Sequence, residues 1–174
     1  ILKGVIPETK GETMVDLVLR GQRNQASLDG KLIVSNMQTQ LDFTKCVYTA
    51  PKAEILVRNN RFYMRDVPIF DEAKNRGQID MNLKLDHLSN IEYDMLATFR
   101  QFKVLNTDKR DNDMFYGNVF ASGEVAVRGD KAGVAMEINA TTNDGSHFFM
   151  PLSGKSNIST ADFVTFTKAS QVDT

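Results

Sequence analysis

The sequence is poor in the residues that build catalytic and metal-binding sites. It contains one cysteine, Cys46, and two histidines, His87 and His147, which lie far apart in the chain. A single cysteine excludes an intrachain disulfide and any multi-cysteine metal site, and neither histidine has a partner at the spacing of zinc ligands. No Gly-x-Ser-x-Gly motif and no phosphate-binding glycine loop occurs. We therefore expect no catalytic residue, no metal and no cofactor.

The sequence also lacks an excess of charge and a long apolar run. It has 21 Lys and Arg residues against 22 Asp and Glu residues, so nothing suggests the basic surface of a nucleic-acid-binding protein. No run approaches the ~18 apolar residues of a membrane-spanning helix. The chain begins at Ile1 rather than at Met. We expect residues 1–174 to be a single module excised from a longer chain, from which a signal peptide, a membrane anchor or a partner domain could have been removed.

The dominant feature is apolar residues at every second position, which is typical of strands with one buried face. Four runs alternate clearly, with apolar residues at Ile79, Met81, Leu83 and Leu85; at Ile91, Tyr93, Met95, Ala97 and Phe99; at Val119, Ala121, Val125 and Val127; and at Val134, Met136, Ile138 and Ala140. Weaker alternation occurs at Val15, Leu17 and Leu19, at Leu41 and Phe43, and at Ile55 and Val57. The pattern predicts an all-β fold.

Short polar breaks separate these runs. Asn59-Asn60 suits a tight hairpin turn because Asn tolerates a positive φ, and residues 129–133 and 143–145 are similar breaks. Residues 71–76 and 106–113 have the composition of longer loops. Because links this short join neighbouring strands, we expect mainly antiparallel pairing. Residues 159–162 alone predict a short helical turn.

Three glycines suggest an internal repeat. Gly30, Gly77 and Gly123 stand at nearly equal intervals, and each precedes a polar residue and an alternating strand. A second strand follows each of them, beginning near Leu41, Ile91 and Val134. Repeats of this length are typical of stacked units that share one sheet. The pattern is loose enough to arise by chance, and both interpretations stay open.

The apolar face itself has two interpretations. From the periodicity alone, the better one is the core of a β-sandwich, in which the face packs on a second sheet. The other is a groove for lipid. Eight methionines favour the groove, because the flexible thioether side chain suits surfaces that contact irregular apolar partners.

One stretch carries a resemblance to a known family. Residues 111–152 read DNDMFYGNVFASGEVAVRGDKAGVAMEINATTNDGSHFFMPL, and the flanking segments read FKVLNTDKR and ISTADFVTF. The order is an acidic loop, an aromatic-Gly pair, and three strands separated by glycines before a Pro-Leu ending. It resembles the C-terminal region of TamB-like proteins, which are related to AsmA-like proteins, and particularly a branch from Bacteroidetes-type bacteria. The resemblance is best over residues 99–166.

The resemblance implies a fold and a function. The fold is a curved, elongated sheet shaped like a taco shell, with a continuous apolar groove inside. The function is non-enzymatic handling of phospholipid in the periplasm, between the inner and outer membranes. A barrel-assembly partner is also implied, as is a parent chain anchored in the inner membrane. The family supplies no catalytic residues, and its lining maps onto Ile79, Met81, Leu83, Leu85, Ile91, Tyr93, Met95, Phe99, Val125, Val127, Val134, Met136 and Ile138.

Two other functions stay open. The chain could be a module that binds a protein partner during outer-membrane protein assembly, with an exposed sheet edge accepting a strand. It could also be a purely structural β-domain.

Overall fold

A computed structural model of the chain describes residues 8–22, 26–86 and 90–151. These residues form nine strands and no helix, so the all-β prediction is confirmed. The strands are β1 (Glu8–Arg20), β2 (Ser27–Gln40), β3 (Val47–Arg58), β4 (Arg61–Phe70), β5 (Arg76–Asp86), β6 (Asn90–Thr107), β7 (Tyr116–Gly129), β8 (Val134–Thr142) and β9 (His147–Phe149).

All nine strands belong to one curved antiparallel sheet. The first eight lie side by side in chain order, and β9 pairs with β7 beyond the end of β8. This order follows from the short links, which leave each strand no distance to cross another. The curved, taco-like sheet is therefore confirmed. The β-sandwich alternative is wrong for the described residues, because a sandwich needs two sheets.

The pairing of β5 with β6 has the register that the alternation predicts. Gly77 pairs with Phe99 at one end and Leu85 with Ile91 at the other, without a shift between them. Residues directly opposite each other in a sheet point to the same side. The apolar residues of the two runs therefore share one face, as predicted.

The Asn59-Asn60 turn is also confirmed. Both residues have a positive φ, 47° and 62°, which matches a two-residue type I′ hairpin turn. The Asn60 side chain also accepts a hydrogen bond from the Leu28 backbone N–H at 2.7 Å and donates one to the Ala26 carbonyl at 2.8 Å. The turn thus fixes the neighbouring hairpin as well as its own.

Several boundaries differ from the sequence predictions. Leu41 and Phe43 do not lie in a strand: the Lys45 N–H donates to the Leu41 carbonyl at 2.7 Å and closes a turn between β2 and β3. The loop predicted at 106–113 lies at 108–115, because the Asp108 carboxylate accepts hydrogen bonds from the loop's own backbone. The loop predicted at 71–76 ends one residue earlier. The predicted helical turn at 159–162 and His87 lie outside the described residues.

Bulges bend the strands without interrupting the apolar side of the sheet. Register shifts occur beside Asp66 in β4 and Gln101 in β6, each of which has a positive φ. An extra residue at a bulge bends its strand. The unpaired N–H of Asp66 donates to the Asp80 carboxylate at 3.0 Å, and that of Gln101 donates to the Ser122 hydroxyl at 2.9 Å. Polar side chains from the neighbouring strands thus stabilise both bulges.

The buried core lies along this bend. It contains Ala50, Ala53, Val67, Ile69 and Phe102. Ala50 and Ala53 are three residues apart in β3, as are Met64 and Val67 in β4 and Phe99 and Phe102 in β6. Regular alternation would put such residues on opposite faces. The bulges turn the residues of β4 and β6 to the same side, where they pack together with Ala50 and Ala53 of β3.

The glycine repeat is wrong as a structural repeat. Gly30, Gly77 and Gly123 lie inside β2, β5 and β7. The first interval spans three strands and the second spans two, so β2 runs opposite to the other two. Gly30 and Gly123 both have a positive φ, +139° and +153° respectively. A Cβ at either position would overlap a carbonyl of the adjacent strand. These positions require glycine because neighbouring backbones approach them closely.

We expect Gly123→Ala to lower the free energy of unfolding by about 3 kcal/mol, from backbone strain plus overlap with Asn139. Gly133→Ala is the matched control, since Gly133 has a similar φ of +156° but open space around it. Its cost should be about 1 to 2 kcal/mol. Urea unfolding of both variants measures the difference. Equal costs would mean that the close approach at Gly123 does not constrain the sheet.

Candidate functional site

One row of side chains crosses eight strands without a charged or polar group. Its members, paired strand by strand from β1 to β8, are Val15, Leu32, Ile55, Met64, Met81, Met95, Val127 and Met136. At ~4.8 Å between strands the row is about 34 Å long. The sheet therefore presents a continuous apolar stripe across eight strands. The lining predicted from the sequence involved four.

The neighbouring rows extend this stripe into a surface that we call the apolar face. All thirteen residues predicted as lining belong to it, in β5, β6, β7 and β8. On one side of the stripe Leu83 pairs with Tyr93, and on the other Ile79 pairs with Ala97 and Ala97 with Val125. The structure thus brings the thirteen residues together. Their role as a lipid lining stays a prediction.

The thirteen residues predicted as lining include none from β1 to β4. These strands contribute Val15, Leu17, Leu32, Val34, Ile55, Val57, Phe62 and Met64. The signal in β2 was alternation at Leu28, Leu32 and Val34, with Gly30 occupying the missing position. In β4 the bulge after Met64 shifts the alternation by one residue and conceals it.

Burial varies strongly over the apolar face. Val134, Met136 and Ile138 on β8 are more than half exposed, as is Val15 on β1. Met81 and Met95, in the middle of the sheet, are half-buried. Large apolar side chains exposed together mark a surface that contacts an apolar partner.

At the other end of the strands the sheet closes on itself. The rings of Tyr48 in β3 and Phe102 in β6 stack with their centroids 5.1 Å apart, although β4 and β5 lie between these strands in the sheet. The Tyr48 hydroxyl donates a hydrogen bond to the Lys103 carbonyl at 2.9 Å. Burial raises the pKa of Tyr48 well above its ordinary value. We call this part of the molecule the closed end.

Loops complete the closed end. Asp71, which is buried, accepts hydrogen bonds from the backbone N–H groups of Asn75 at 2.8 Å and Lys103 at 2.9 Å. The Asn106 N–H donates to the Thr44 carbonyl at 2.8 Å. These bonds join the β2–β3 turn and the β4–β5 loop to β6. They satisfy main-chain groups of β6 beyond Phe99, where β5 no longer pairs with it.

The family comparison bears on this arrangement. The family model described as the TamB C-terminal domain matches residues 65–174. This chain belongs to the TamB family. The match begins earlier than the resemblance seen in the sequence and includes β5 to β9 entirely. No curated protein and no solved structure matches the chain.

Membership of the TamB family associates the chain with the cell envelope and with transport. The match does not address the bacterial branch, which stays a prediction. Among the residues that the structure describes, no helix is both long enough and apolar enough to cross a membrane.

The opposite face of the sheet, which we call the polar face, carries ion pairs between strands, together with exposed apolar side chains at Met14, Val18, Leu56 and Leu96. Lys31 and Glu54 lie 2.7 Å apart, and the pairs Lys84–Glu92 and Arg128–Asp94 lie at 3.2 and 3.3 Å. The hydrogen bond from Lys31 lowers the pKa of Glu54. Exposed pairs of this kind stabilise a protein little, but they keep this face hydrated. The charged side chains of these pairs therefore lie on the side of the sheet opposite the apolar face.

Two of the residues considered for chemistry, His147 and Cys46, lie in the described part of the chain. His147 is exposed in β9, opposite Asn118 of β7. Cys46 is buried beside Thr44, whose carbonyl accepts a hydrogen bond from its thiol at 3.5 Å. Within residues 8–22, 26–86 and 90–151, no group of three or more His, Cys, Asp or Glu side chains could hold a metal ion.

Cys46 provides a test of the closed end. It is 1% exposed, and burial raises the pKa of its thiol. Since the thiolate is the reactive form, we expect iodoacetamide at pH 8 to label the folded chain roughly tenfold or more slowly than the chain in urea. Mass spectrometry of timed samples measures both rates. A folded chain labelled as fast as the unfolded one would mean that the closed end is open in solution.

Proposed function

We propose that this TamB domain holds phospholipid acyl chains on its apolar face, as a non-enzymatic lipid-handling segment in the periplasm. The observation that carries the proposal is the row from Val15 to Met136, in which eight successive strands contribute only apolar side chains. Family membership supports an envelope role. Lipid passage between the inner and outer membranes, and a parent chain anchored in the inner membrane, are parts of the same proposal.

The energetics favour acyl chains as the occupant. Each CH₂ group that leaves water gains about 0.8 kcal/mol, so that covering most of a long acyl chain gains on the order of 10 kcal/mol. A charged or hydrogen-bonding group in the row would reduce that gain because it would lose its hydration without a partner. The row contains none. Binding on such a face needs no covalent step and no nucleotide.

A second candidate function is protein binding by strand addition. In the described part of the chain, β8 lies at one edge of the sheet, and all of its residues are exposed. An edge strand offers unpaired main-chain groups that can accept a strand from another protein. A barrel-assembly partner would bind in this way. This function uses the edge of β8 and leaves the apolar face free, so both functions can occur in one molecule.

Substitution of Met136 tests the lipid proposal. Met136 is 53% exposed, so Met136→Asp should change the free energy of unfolding by less than about 1 kcal/mol. An acyl chain covering the new carboxylate would strip its water, which costs several kcal/mol, and lipid affinity should fall tenfold or more. Titration with a phospholipid carrying a fluorescent acyl chain, alongside urea unfolding, measures the two effects.

Ala135→Asp is the matched control. Ala135 precedes Met136 in β8, is also exposed, and pairs with Arg128 on the polar face. This variant adds the same charge to the same strand, so its lipid affinity should equal that of the unmodified chain. Unchanged affinity in Met136→Asp would reject binding on the apolar face. An equal loss in both variants would mean that overall charge, and not the face, governs binding.

A further inference from the structure

We propose that the closed end blocks the apolar face, so that an acyl chain binds only in the part of the face between Ile79 and Leu85 of β5, which we call the open part. The acyl chain enters and leaves this part beside β8 and β1. The inference rests on the proposed lipid function and specifies where the lipid lies. It divides one apolar surface into a binding part, from Leu85 to Ile79 along β5, and a non-binding part beyond Phe99.

At the closed end, β3 and β6 are in contact although they are not neighbours in the sheet. Tyr48 stacks on Phe102 and its hydroxyl binds the Lys103 carbonyl, and the Asn106 N–H binds the Thr44 carbonyl. Further out, Phe43 of the β2–β3 turn meets Phe115 of the β6–β7 loop at 5.5 Å. Four separate contacts therefore join the two sides of the curved sheet. An acyl chain can pass only if they all separate.

The side chains inside the closed end are tightly packed. Ala50, Ala53 and Phe102 are 1 to 3% exposed, and Val67 and Ile69 are almost as deeply buried. They form one contiguous cluster from β3, β4 and β6. Side chains packed to this degree leave no space for a ligand the width of a hydrocarbon chain. The closed end is thus a protein core and not a continuation of a groove.

The open part is long enough for one acyl chain. From Ile79 to Leu85 it extends six residues along β5, about 20 Å at ~3.3 Å per residue. The hydrocarbon core of a bilayer is about 30 Å thick, so each leaflet contributes about 15 Å of acyl chain. One acyl chain therefore fits the open part with its end at Ile79, which packs against the core cluster.

An acyl chain can enter the open part at the edges of the sheet. Val134, Met136 and Ile138 on β8 and Val15 on β1 are exposed by more than half, and both strands lie at edges of the described sheet. Within residues 8–22, 26–86 and 90–151, these side chains are accessible to an acyl chain without any rearrangement. Arg128 of β7 and Asp94 of β6, on the opposite face of the sheet, remain available to water and to a lipid headgroup.

Photochemical mapping on the unmodified chain tests this division. The chain is mixed with phosphatidylcholine vesicles that contain a phosphatidylcholine carrying a diazirine on one acyl chain, irradiated, and digested for mass spectrometry. Adducts should occur on residues 81–85, 91–95 and 134–138. They should be at least tenfold rarer on residues 47–53, 102–107 and 119–121. Adducts of equal abundance in both sets would overturn the blind end. A chain without adducts would instead refute the lipid function.

Two substitutions at Tyr48 test the cause. Tyr48→Ala removes both the ring stack and the hydrogen bond, and adducts should then spread to residues 102–107. Tyr48→Phe keeps the stacked ring and should keep the map of the unmodified chain. An unchanged map in a folded Tyr48→Ala variant would show that the ring does not close the groove. Circular dichroism establishes that each variant is folded. If Tyr48→Ala is not folded, the distribution of adducts on the unmodified chain decides the proposal by itself.

Discussion

The register between neighbouring strands is the constraint on which this structure depends. Side chains alternate between two faces, so a slip of one residue in any pair would move a whole strand's apolar residues to the polar face. Seven successive pairings keep Val15, Met81 and Met136 in one row. The turns and ion pairs reinforce that register: Asn60 binds the β2 backbone, and Lys31 pairs with Glu54 across β2 and β3. A continuous apolar face is the consequence of a register that all seven pairings keep along this row.

Curvature has to be added to this register without destroying it. A bulge inserts one residue and would normally reverse every side chain that follows it. Here the reversal is coordinated, since the bulge at Asp66 falls between Met64 and Val67 and that at Gln101 between Phe99 and Phe102. The apolar face therefore continues through the bend. The same residues that curve the sheet also bring β3 and β6 together, which produces the core.

The sequence predicted the part of the fold in which local pattern and structure agree. The alternation in β5, from Ile79 to Leu85, and in β8 passes through no bulge, and those strands were predicted nearly to their ends. In β4 the alternation of apolar residues is interrupted at Asp66, and in β2 Gly30 occupies a position where an apolar residue would be expected. Neither strand was therefore predicted as part of the apolar face. The Tyr48–Phe102 contact joins residues far apart in the chain, and no local pattern contains it.

The open part and the closed end of the apolar face contribute differently to the stability of the domain. A sheet that leaves large apolar side chains such as Met136 in water gains little stability from them and risks association through its edges. The closed end compensates, because its packed core and the buried Asp71 give the domain stability that needs no ligand. An acyl chain on the open part would add to that stability by mass action, since it binds only the folded sheet. The fold thus keeps an apolar surface available because another part of the same surface is permanently covered.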